Sequence, residues 1–209
     1  MKPTVVLVED HIAYRESFRL ALQHAGEFEV VGQAGSAREG YEVIERQEPD
    51  LVVADFMLPD GNGISFAREL RRRKYRTKVL ILGRISHPIF IRDAMNAGGV
   101  GGFALKQESL DDVVEAMRRV LAGEAFISKA LREKIESMTG AGAGIEKLSA
   151  REREVLFLLL EGNSSKEIAA ALFLSSKTVD AHRLHINRKL NVRSPAALAR
   201  RLADQGLTP

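Results

Sequence analysis

Acidic side chains and a lysine follow several apolar runs in the N-terminal part of the chain. Glu9 and Asp10 come directly after the run Thr4–Val8, and Asp55 follows Leu51–Ala54. If these runs are neighbouring parallel strands, their carboxylates meet at one edge of the sheet. Converging carboxylates repel one another unless a hard cation such as Mg²⁺ offsets their charge. We therefore predict a magnesium site at that edge.

Lys106 adds a positive charge to this cluster, because it follows a further apolar run, Gly102–Leu105. Its ammonium can pair with Asp55 at rest and with a phosphoryl oxygen after transfer. The chemistry that this set supports is attack by an Asp55 oxygen on phosphorus, which gives an aspartyl phosphate. Each acid alone is more often a solvated loop residue, and Asp10 can simply cap a helix. Their coincidence at several strand ends favours the chemical interpretation.

The elements that must position these side chains alternate between short apolar, β-branched runs and longer segments of helical period. This alternation is typical of a parallel sheet covered by helices. Ser36 and Ser109 are each followed three residues later by an acid, which predicts helix starts, and Pro88 predicts a helix to Ala97. We expect an α/β, five-stranded, doubly wound (flavodoxin-like) domain. Its predicted strands are Thr4–Val8, Val30–Ala34, Leu51–Ala54, Val79–Leu82 and Gly102–Leu105.

Three glycines within residues 140–144 interrupt an amphipathic stretch and indicate a boundary. The segments beyond it have helical period and no strand signal, and the break between the second and third is short enough for a helix-turn-helix. We expect a first domain at 1–124, a helical and Gly-rich linker at 125–146, and an all-α, four-helix domain at 147–209. The four predicted helices are Ala150–Glu161, Ser165–Phe173, Lys177–Leu190 and Pro195–Gln205.

Composition limits the class of protein. Apolar residues make up 45% and charged residues 28% of the chain, which is typical of a globular protein with a real core. The chain has no cysteine, which excludes disulfides and thiolate metal sites, and no apolar run approaches the roughly 20 residues of a membrane span. A cytoplasmic location is the simplest interpretation. The basic excess lies in the C-terminal part, although basic helix faces often serve only solubility.

The segment from about residue 3 to residue 122 resembles a response-regulator receiver. The resemblance rests on Val5–His11, Asp55–Gly63 and Gly102–Lys106. It implies that Asp55 accepts a phosphoryl group from a phosphohistidine on a partner histidine kinase. Its other implied site residues are the Mg²⁺ ligands Glu9, Asp10, Asp55 and the Met57 carbonyl, the phosphate partner Lys106, and the aromatic switch residue Phe103.

Gly83 departs from the receiver pattern. Receivers usually carry Thr or Ser at the end of the fourth strand, where the hydroxyl bonds the phosphoryl group; a bond to a charged group is worth roughly 1.5–3 kcal/mol. One hypothesis is that Gly83 leaves room for Phe103 to point inward without phosphate, which gives partial activity at rest. The alternative is an incidental substitution, with the switch carried elsewhere.

The C-terminal part, Lys147–Leu207, resembles the LuxR-type DNA-binding domain. Matching segments include Leu148–Leu156, Lys166–Ala169, Lys177–Val179 and Arg188–Leu190. The whole chain therefore resembles the NarL/FixJ class of response regulators. This implies a DNA-binding transcription factor, not an enzyme, that forms a homodimer through its last helix and can contact RNA polymerase.

The predicted recognition helix carries both reading and phosphate-binding positions. Ser176 is expected to cap it and to present backbone N–H groups to a phosphate. Asp180 stands where a basic residue is frequent in the family; an acid can accept from a cytosine amino group or face a less charged part of the groove. The target sequence therefore stays open. The predicted DNA-binding residues are Lys166, Ser176, Lys177, Thr178, Asp180, Ala181, Arg183, Leu184, His185, Arg188 and Lys189.

Three alternatives remain. An aspartyl-phosphate phosphatase shares the strand-end nucleophile, but such enzymes typically carry a second Asp at the position held here by Met57. A regulator that works without phosphorylation is favoured by Gly83 and opposed by the retained acids and Lys106. His182 and His185 suggest a metal pair, but no third ligand is near in sequence, and packing or phosphate contact suits them better.

Overall fold

The computed structural model describes residues 1–83, 91, 95–96, 98–137, 145–160, 162–172, 174–192 and 197–198. Contacts between residues divide these ranges into two compact units: the described residues of 1–86 and 94–132 form the first, and those of 87–93 and 133–209 form the second. No helix within the described ranges is long and apolar enough to cross a membrane.

The first unit alternates strands and helices. Its strands are β1 (Thr4–Val8), β2 (Glu29–Ala34), β3 (Leu51–Asp55), β4 (Met57–Leu58), β5 (Gly61–Asn62), β6 (Lys78–Gly83), β7 (Gly102–Leu105) and β8 (Phe126–Ile127). Its helices are α1 (Ile12–Ala25), α2 (Ala37–Gln47), α3 (Gly63–Arg72) and α4 (Leu110–Leu121), followed by α5 (Lys129–Ser137), which spans the change of unit. The predicted α/β class is confirmed.

The main sheet is parallel, and within the described residues its strand order is β2-β1-β3-β6-β7-β8. Strands β1 and β3 are neighbours, with Val8 beside Ala54 at their carboxyl ends. Both strands are apolar on both faces because helices cover the sheet on each side. On one face, Leu22 of α1 and Met117 of α4 pack into the same core as Leu7 of β1.

Strand β8 corrects the sequence-based prediction of five strands and of a linker that begins at residue 125. Phe126 and Ile127 pair in parallel with Gly102 and Phe103 of β7. The Ser128 N–H also donates to the Phe103 carbonyl at 3.1 Å. A strand of two residues is too short to show a period of its own. Only the neighbouring β7 gives this segment its extended conformation.

Two predicted helix starts in the first unit are confirmed. The Ser36 hydroxyl accepts from the Glu39 N–H, and the Ser109 hydroxyl accepts from the Asp112 N–H, each at 3.2 Å. Each cap satisfies a backbone donor that the first helical turn leaves without a partner. The predicted helix from Pro88 to Ala97 falls outside the described residues except at Ile91, Met95 and Asn96, which are helical.

The second unit contains a short 3₁₀ helix (Ile145–Lys147) and helices α6 (Ala150–Leu160), α7 (Ser165–Leu172) and α8 (Ser176–Lys189). Buried Leu156, Ile168, Val179 and Ile186 form its core. The first three helices that the sequence predicts are therefore confirmed. Of the fourth, Pro195–Gln205, only Ala197 and Leu198 lie within the described residues, and both are helical.

Candidate functional site

A cluster of acids lies where β1 and β3 end. Glu9 and Asp10 follow β1, and Asp55 is the last residue of β3. Together with His11, these residues place one ligand atom each within 4.8 Å of one another. Glu9 and Asp55 are only 5% and 7% exposed, whereas Asp10 and His11 are exposed. The structure thus brings the three predicted acids together at the carboxyl edge of the sheet, with one side of the cluster open to solvent.

Lys106 lies between the two buried acids. Its Nζ atom is 2.7 Å from Asp55 Oδ2 and 2.6 Å from Glu9 Oε2. Sequence reasoning predicted the contact with Asp55 but missed the contact with Glu9. One ammonium that bonds two carboxylates offsets much of the repulsion that their burial would otherwise intensify.

The pKa of Asp55 is raised from 3.8 to about 6. Burial is the largest cause and the nearby charge of Glu9 adds to it, while Lys106 and the Met57 N–H lower the pKa by bonding the ionised form. At neutral pH the carboxylate is therefore still mainly ionised, but it is more basic than an ordinary aspartate. A buried, more basic carboxylate is a better nucleophile than a solvated one.

A tight backbone turn holds Asp55 and Met57 in place. The Phe56 N–H donates to the Leu82 carbonyl, and the Gly63 N–H donates to the Phe56 carbonyl, both at 2.9 Å. A Cβ atom at Gly63 would lie 2.5 Å from the Asp55 carbonyl oxygen, so this close approach requires glycine. Sequence reasoning placed Gly63 in the matching segment but gave it no role.

Tyr14 is a residue of this site that sequence reasoning missed. Lys106 Nζ lies 4.8 Å from the centre of its ring, within the range of a cation–π contact. Burial, with the charges of Glu9 and Asp55, raises the pKa of the Tyr14 phenol to about 12. The signal available in the sequence was an aromatic residue in the first turn of the helix that follows the β1 acids. The guanidinium of Arg15, the next residue, donates to the Glu9 carbonyl.

The ring of Phe103 lies against Gly83. A Cβ atom at Gly83 would lie 3.1 Å from Phe103 Cζ and 3.2 Å from Cε1. Phe103 is only 1% exposed, and its ring packs against Phe56 with centroids 5.7 Å apart. The inward position that the sequence-based hypothesis assigned to Phe103 is therefore present in this structure. Its effect on activity stays a prediction.

The start of α8 differs from the sequence-based prediction. Ser175, not Ser176, caps the helix, because the Thr178 N–H donates to the Ser175 hydroxyl at 3.1 Å. Ser175 has extended backbone angles, from which its short side chain reaches back to the first turn. Ser176 is the first helical residue and is exposed, as are Lys177 and Thr178.

All the predicted DNA-binding residues except Arg183 lie on the exposed surface of the second unit. Val179 and Ile186 are fully buried and fix the inner face of the helix. The exposed predicted residue on α7 is Lys166. Those on α8 are Ser176, Lys177, Thr178, Asp180, Ala181, Leu184, His185, Arg188 and Lys189. Arg183 is half-buried and donates to the Ser165 hydroxyl at 2.6 Å.

Lys189 also has a partner inside the unit. Its Nζ atom lies 2.7 Å from Glu152 Oε2, and Glu152 is buried. Burial opposes ionisation of Glu152, but the bonds from Lys189 and Ser149 outweigh it and hold the pKa of Glu152 below its ordinary value. His185 Nδ1 is 4.0 Å from the other oxygen of Glu152. The C-terminal half of α8 is thus anchored to α6 by an ionic contact.

Comparison with known proteins gives two family matches that follow the two units. The model for the response regulator receiver domain matches residues 5–118, which is more than half of the chain. The model for bacterial regulatory proteins of the luxR family matches residues 146–202.

Full-length relatives and solved structures agree with these matches. The oxygen regulatory protein NreC of Staphylococcus carnosus is 31% identical over 93% of this chain and 94% of its own. The nitrate/nitrite response regulator NarL of Escherichia coli is 28% identical over 91% of this chain and 90% of its own. A structure of RcsB from Salmonella enterica serovar Typhimurium, bound to a promoter, has a TM-score of 0.77 over 98% of this chain and all of its own. At 24% identity, that likeness shows the fold. With both family matches and relatives over nearly its whole length, the chain belongs to the two-component response regulators that carry a LuxR-type DNA-binding domain and regulate transcription.

Proposed function

We propose that Asp55 receives a phosphoryl group from a phosphohistidine on a partner histidine kinase, and that this modification controls DNA binding by the second unit. The observation that carries the proposal is the bond of 2.7 Å between Lys106 Nζ and the buried Asp55 Oδ2, beside the buried Glu9. In this proposal the phosphoryl group that Asp55 accepts and later releases is the signal. The chain does not act as an enzyme on a separate substrate.

The transfer step follows from the geometry of this cluster. An Asp55 carboxylate oxygen attacks phosphorus, the P–N bond of the phosphohistidine breaks, and its electron pair stays on the imidazole nitrogen, which takes up a proton from solvent. Lys106 then exchanges its bond with Asp55 for one with a phosphoryl oxygen. Tyr14 holds the ammonium above its ring during this exchange.

The same cluster fits a magnesium ion. Mg²⁺ prefers oxygen ligands, and the proposed ligands are carboxylates of Glu9, Asp10 and Asp55 with the Met57 carbonyl. The support for this set is that atoms of the three acids lie within 4.8 Å of one another, with Asp10 exposed at the open side. When bound, the ion supplies positive charge that offsets the oxygens of the transferred group.

In the second unit, we propose that α8 enters the major groove while basic side chains at its ends and on α7 contact phosphates. Exposed Lys166, Lys177 and Arg188 are suited to that role. The proposal includes a homodimer on DNA and contact with RNA polymerase. Since DNA and the kinase are its proposed partners, we place the chain in the cytoplasm.

The test is a phosphorylation reaction followed by intact-mass measurement. The full-length chain is incubated with acetyl phosphate, with Mg²⁺ or with EDTA. The expected result is a mass gain of one phosphoryl group that needs Mg²⁺ and is absent from Asp55→Asn. A matched control is Asp60→Asn, since Asp60 instead accepts the backbone N–H groups of Ala37 and Arg38. A mass gain that persists in Asp55→Asn would overturn the assignment.

A second candidate is a regulator whose DNA binding does not depend on phosphorylation. It is favoured by the Phe103 ring, which already lies in the space beside Gly83. Measuring DNA affinity of the full-length chain with and without the phosphoryl mimic beryllofluoride separates the two functions. A large gain that requires Asp55 supports phosphorylation control, and equal affinity supports the second candidate.

A further inference from the structure

One stripe of α8 faces away from the interior of the second unit. Five of its exposed residues recur at positions i, i+3, i+4, i+7 and i+11, which lie along one side of a helix. They are Lys177, Asp180, Ala181, Leu184 and Arg188. Leu184 is 59% exposed and is one of four exposed large apolar side chains among the described residues. This stripe is an exposed side of α8.

The middle of the stripe differs chemically from its ends. Helix α8 is described over its whole length, and on this stripe no Lys or Arg lies between Lys177 and Arg188. The middle therefore consists of one acid, Asp180, and two apolar side chains, Ala181 and Leu184.

A hydroxyl group of α7 holds the acid of this stripe. The Ser165 hydroxyl donates to Asp180 Oδ1 at 2.8 Å, and Arg183 Nη1 donates to the same hydroxyl at 2.6 Å. Asp180 Oδ2 has no hydrogen bond within the described residues. Ser165 therefore fixes the Asp180 carboxylate by one oxygen and leaves the other for a partner. It also holds the positive charge of Arg183 close to the acid.

These side chains select bases by their chemistry. In the major groove, guanine offers two acceptors, which Arg or Lys reads; cytosine offers an amino donor, which Asp or Glu accepts; and thymine offers a methyl group. An acid in the groove is costly beside phosphates unless it bonds a donor and its charge is offset. Cytosine meets the first condition better than adenine, whose amino donor has the N7 acceptor beside it, and Arg183 meets the second by offsetting the charge of Asp180 through Ser165.

We propose that this chain reads a cytosine through Asp180 and a thymine through Leu184, and that Ser165 is the positioning residue for the cytosine contact. The inference rests on the proposed DNA-binding function and adds the base preference of its recognition surface. Leu184 increases the affinity for DNA because its exposed side chain becomes buried against the thymine methyl group. Ala181, between them, is small enough to let both neighbours approach the bases.

The test begins with selection of duplexes from a random library by the full-length chain. Affinities for the selected duplex and its single-base variants are then measured by fluorescence anisotropy at several salt concentrations. We expect a selected site with a cytosine whose replacement weakens binding about tenfold, within the usual range for one wrong base pair. Asp180→Asn should shift that position toward adenine, since Asn bonds the N6 and N7 atoms of adenine.

Replacement of thymine by uracil tests Leu184 without changing base pairing, because uracil lacks only the methyl group. Uracil at the selected thymine should weaken binding by the wild type about threefold to tenfold and leave Leu184→Ala unaffected. Equal sensitivity of wild type and Leu184→Ala to uracil would overturn the thymine assignment.

Ser165 is tested through base discrimination, which a merely structural role would not change selectively. Ser165→Ala should reduce the preference for cytosine over the other bases, and Ser165→Thr, which keeps the hydroxyl, should restore it. Lys166→Ala is the matched control on the same helix: it should weaken all duplexes alike and reduce the salt dependence. Unchanged cytosine preference in both Ser165→Ala and Asp180→Asn would overturn the proposal. If no duplex binds in a salt-dependent way, the DNA-binding function itself fails.

Discussion

The ring of Phe103 fills the space beside the backbone of Gly83. The closest ring atom lies 3.1 Å from the position that a Cβ atom at Gly83 would take. Strands β6 and β7 are neighbours at this point, with Gly83 beside Leu105 in the register. Because the main chain of β7 cannot move away from β6 without losing its hydrogen bonds, a Cβ atom at position 83 requires the Phe103 ring to shift, and the further atoms of a larger side chain require a larger shift.

Gly83→Thr should therefore move Phe103 out of its buried position. If the inward ring favours DNA binding, the resting affinity of the variant for a selected duplex should fall about tenfold, which corresponds to roughly 1.4 kcal/mol. Addition of beryllofluoride and Mg²⁺ should recover the loss, because a hydroxyl is then present to bond the phosphoryl mimic. Anisotropy titrations with and without the mimic measure both effects. An unchanged resting affinity of Gly83→Thr would contradict the role of the inward ring.

Tyr14 should affect phosphorylation through Lys106. Tyr14→Leu removes the ring that lies 4.8 Å from Lys106 Nζ. A cation–π contact contributes about 0.5–2 kcal/mol, so the rate of mass gain with acetyl phosphate should fall about twofold to thirtyfold. Tyr14→Phe keeps the ring and should react like wild type. A Phe variant as slow as the Leu variant would assign the effect to the phenol hydroxyl instead.

The raised pKa of Asp55 predicts a defined pH dependence of stability in metal-free buffer. Since the folded protein binds this proton more tightly than the unfolded chain, Asp55 contributes stability that is fully present below about pH 4 and is lost as pH rises through about 6. In Asp55→Asn, the side chain at position 55 is uncharged at every pH of the experiment. Its free energy of unfolding should therefore exceed that of wild type at pH 7, with the difference shrinking toward pH 4. Urea titrations at several pH values measure this difference in the free energy of unfolding. A difference that grew toward acidic pH would show that folding lowers the pKa of Asp55.

The contact between Glu152 and Lys189 should stabilise the second unit. Lys189→Met leaves the buried Glu152 carboxylate without its ammonium partner, at a cost of about 1–3 kcal/mol in the free energy of unfolding. Glu152→Gln combined with Lys189→Met should cost less than the sum of the single changes, because the two side chains interact directly.

Arg188→Met is the matched control for this cycle. Arg188 is exposed on the same helix, and surface changes of this kind usually alter stability by less than about 0.5 kcal/mol. Additive effects of the two changes at Glu152 and Lys189 would show that the contact contributes nothing in solution.

The sequence by itself determined the features that depend on local order along the chain. The apolar runs that precede Glu9, Asp10 and Asp55 predict the parallel strands. The position of these acids directly after the runs predicts the edge of the sheet at which the acids meet. Ser36 and Ser109 mark helix starts because a capping hydroxyl bonds an N–H only three residues away. The sequence motifs also indicated the family, and Gly83 was recognisable as a departure from the receiver motif.

The tertiary structure alone decided the contacts between residues far apart in the chain. Lys106 reaches Glu9 as well as Asp55, Tyr14 covers Lys106, and Ser165 joins Asp180 to Arg183. No periodicity encodes these pairs, because each depends on the register of two elements and on the direction of both side chains. For the same reason, Phe126–Ile127 became a strand: its conformation comes from the β7 backbone beside it and not from its own two residues.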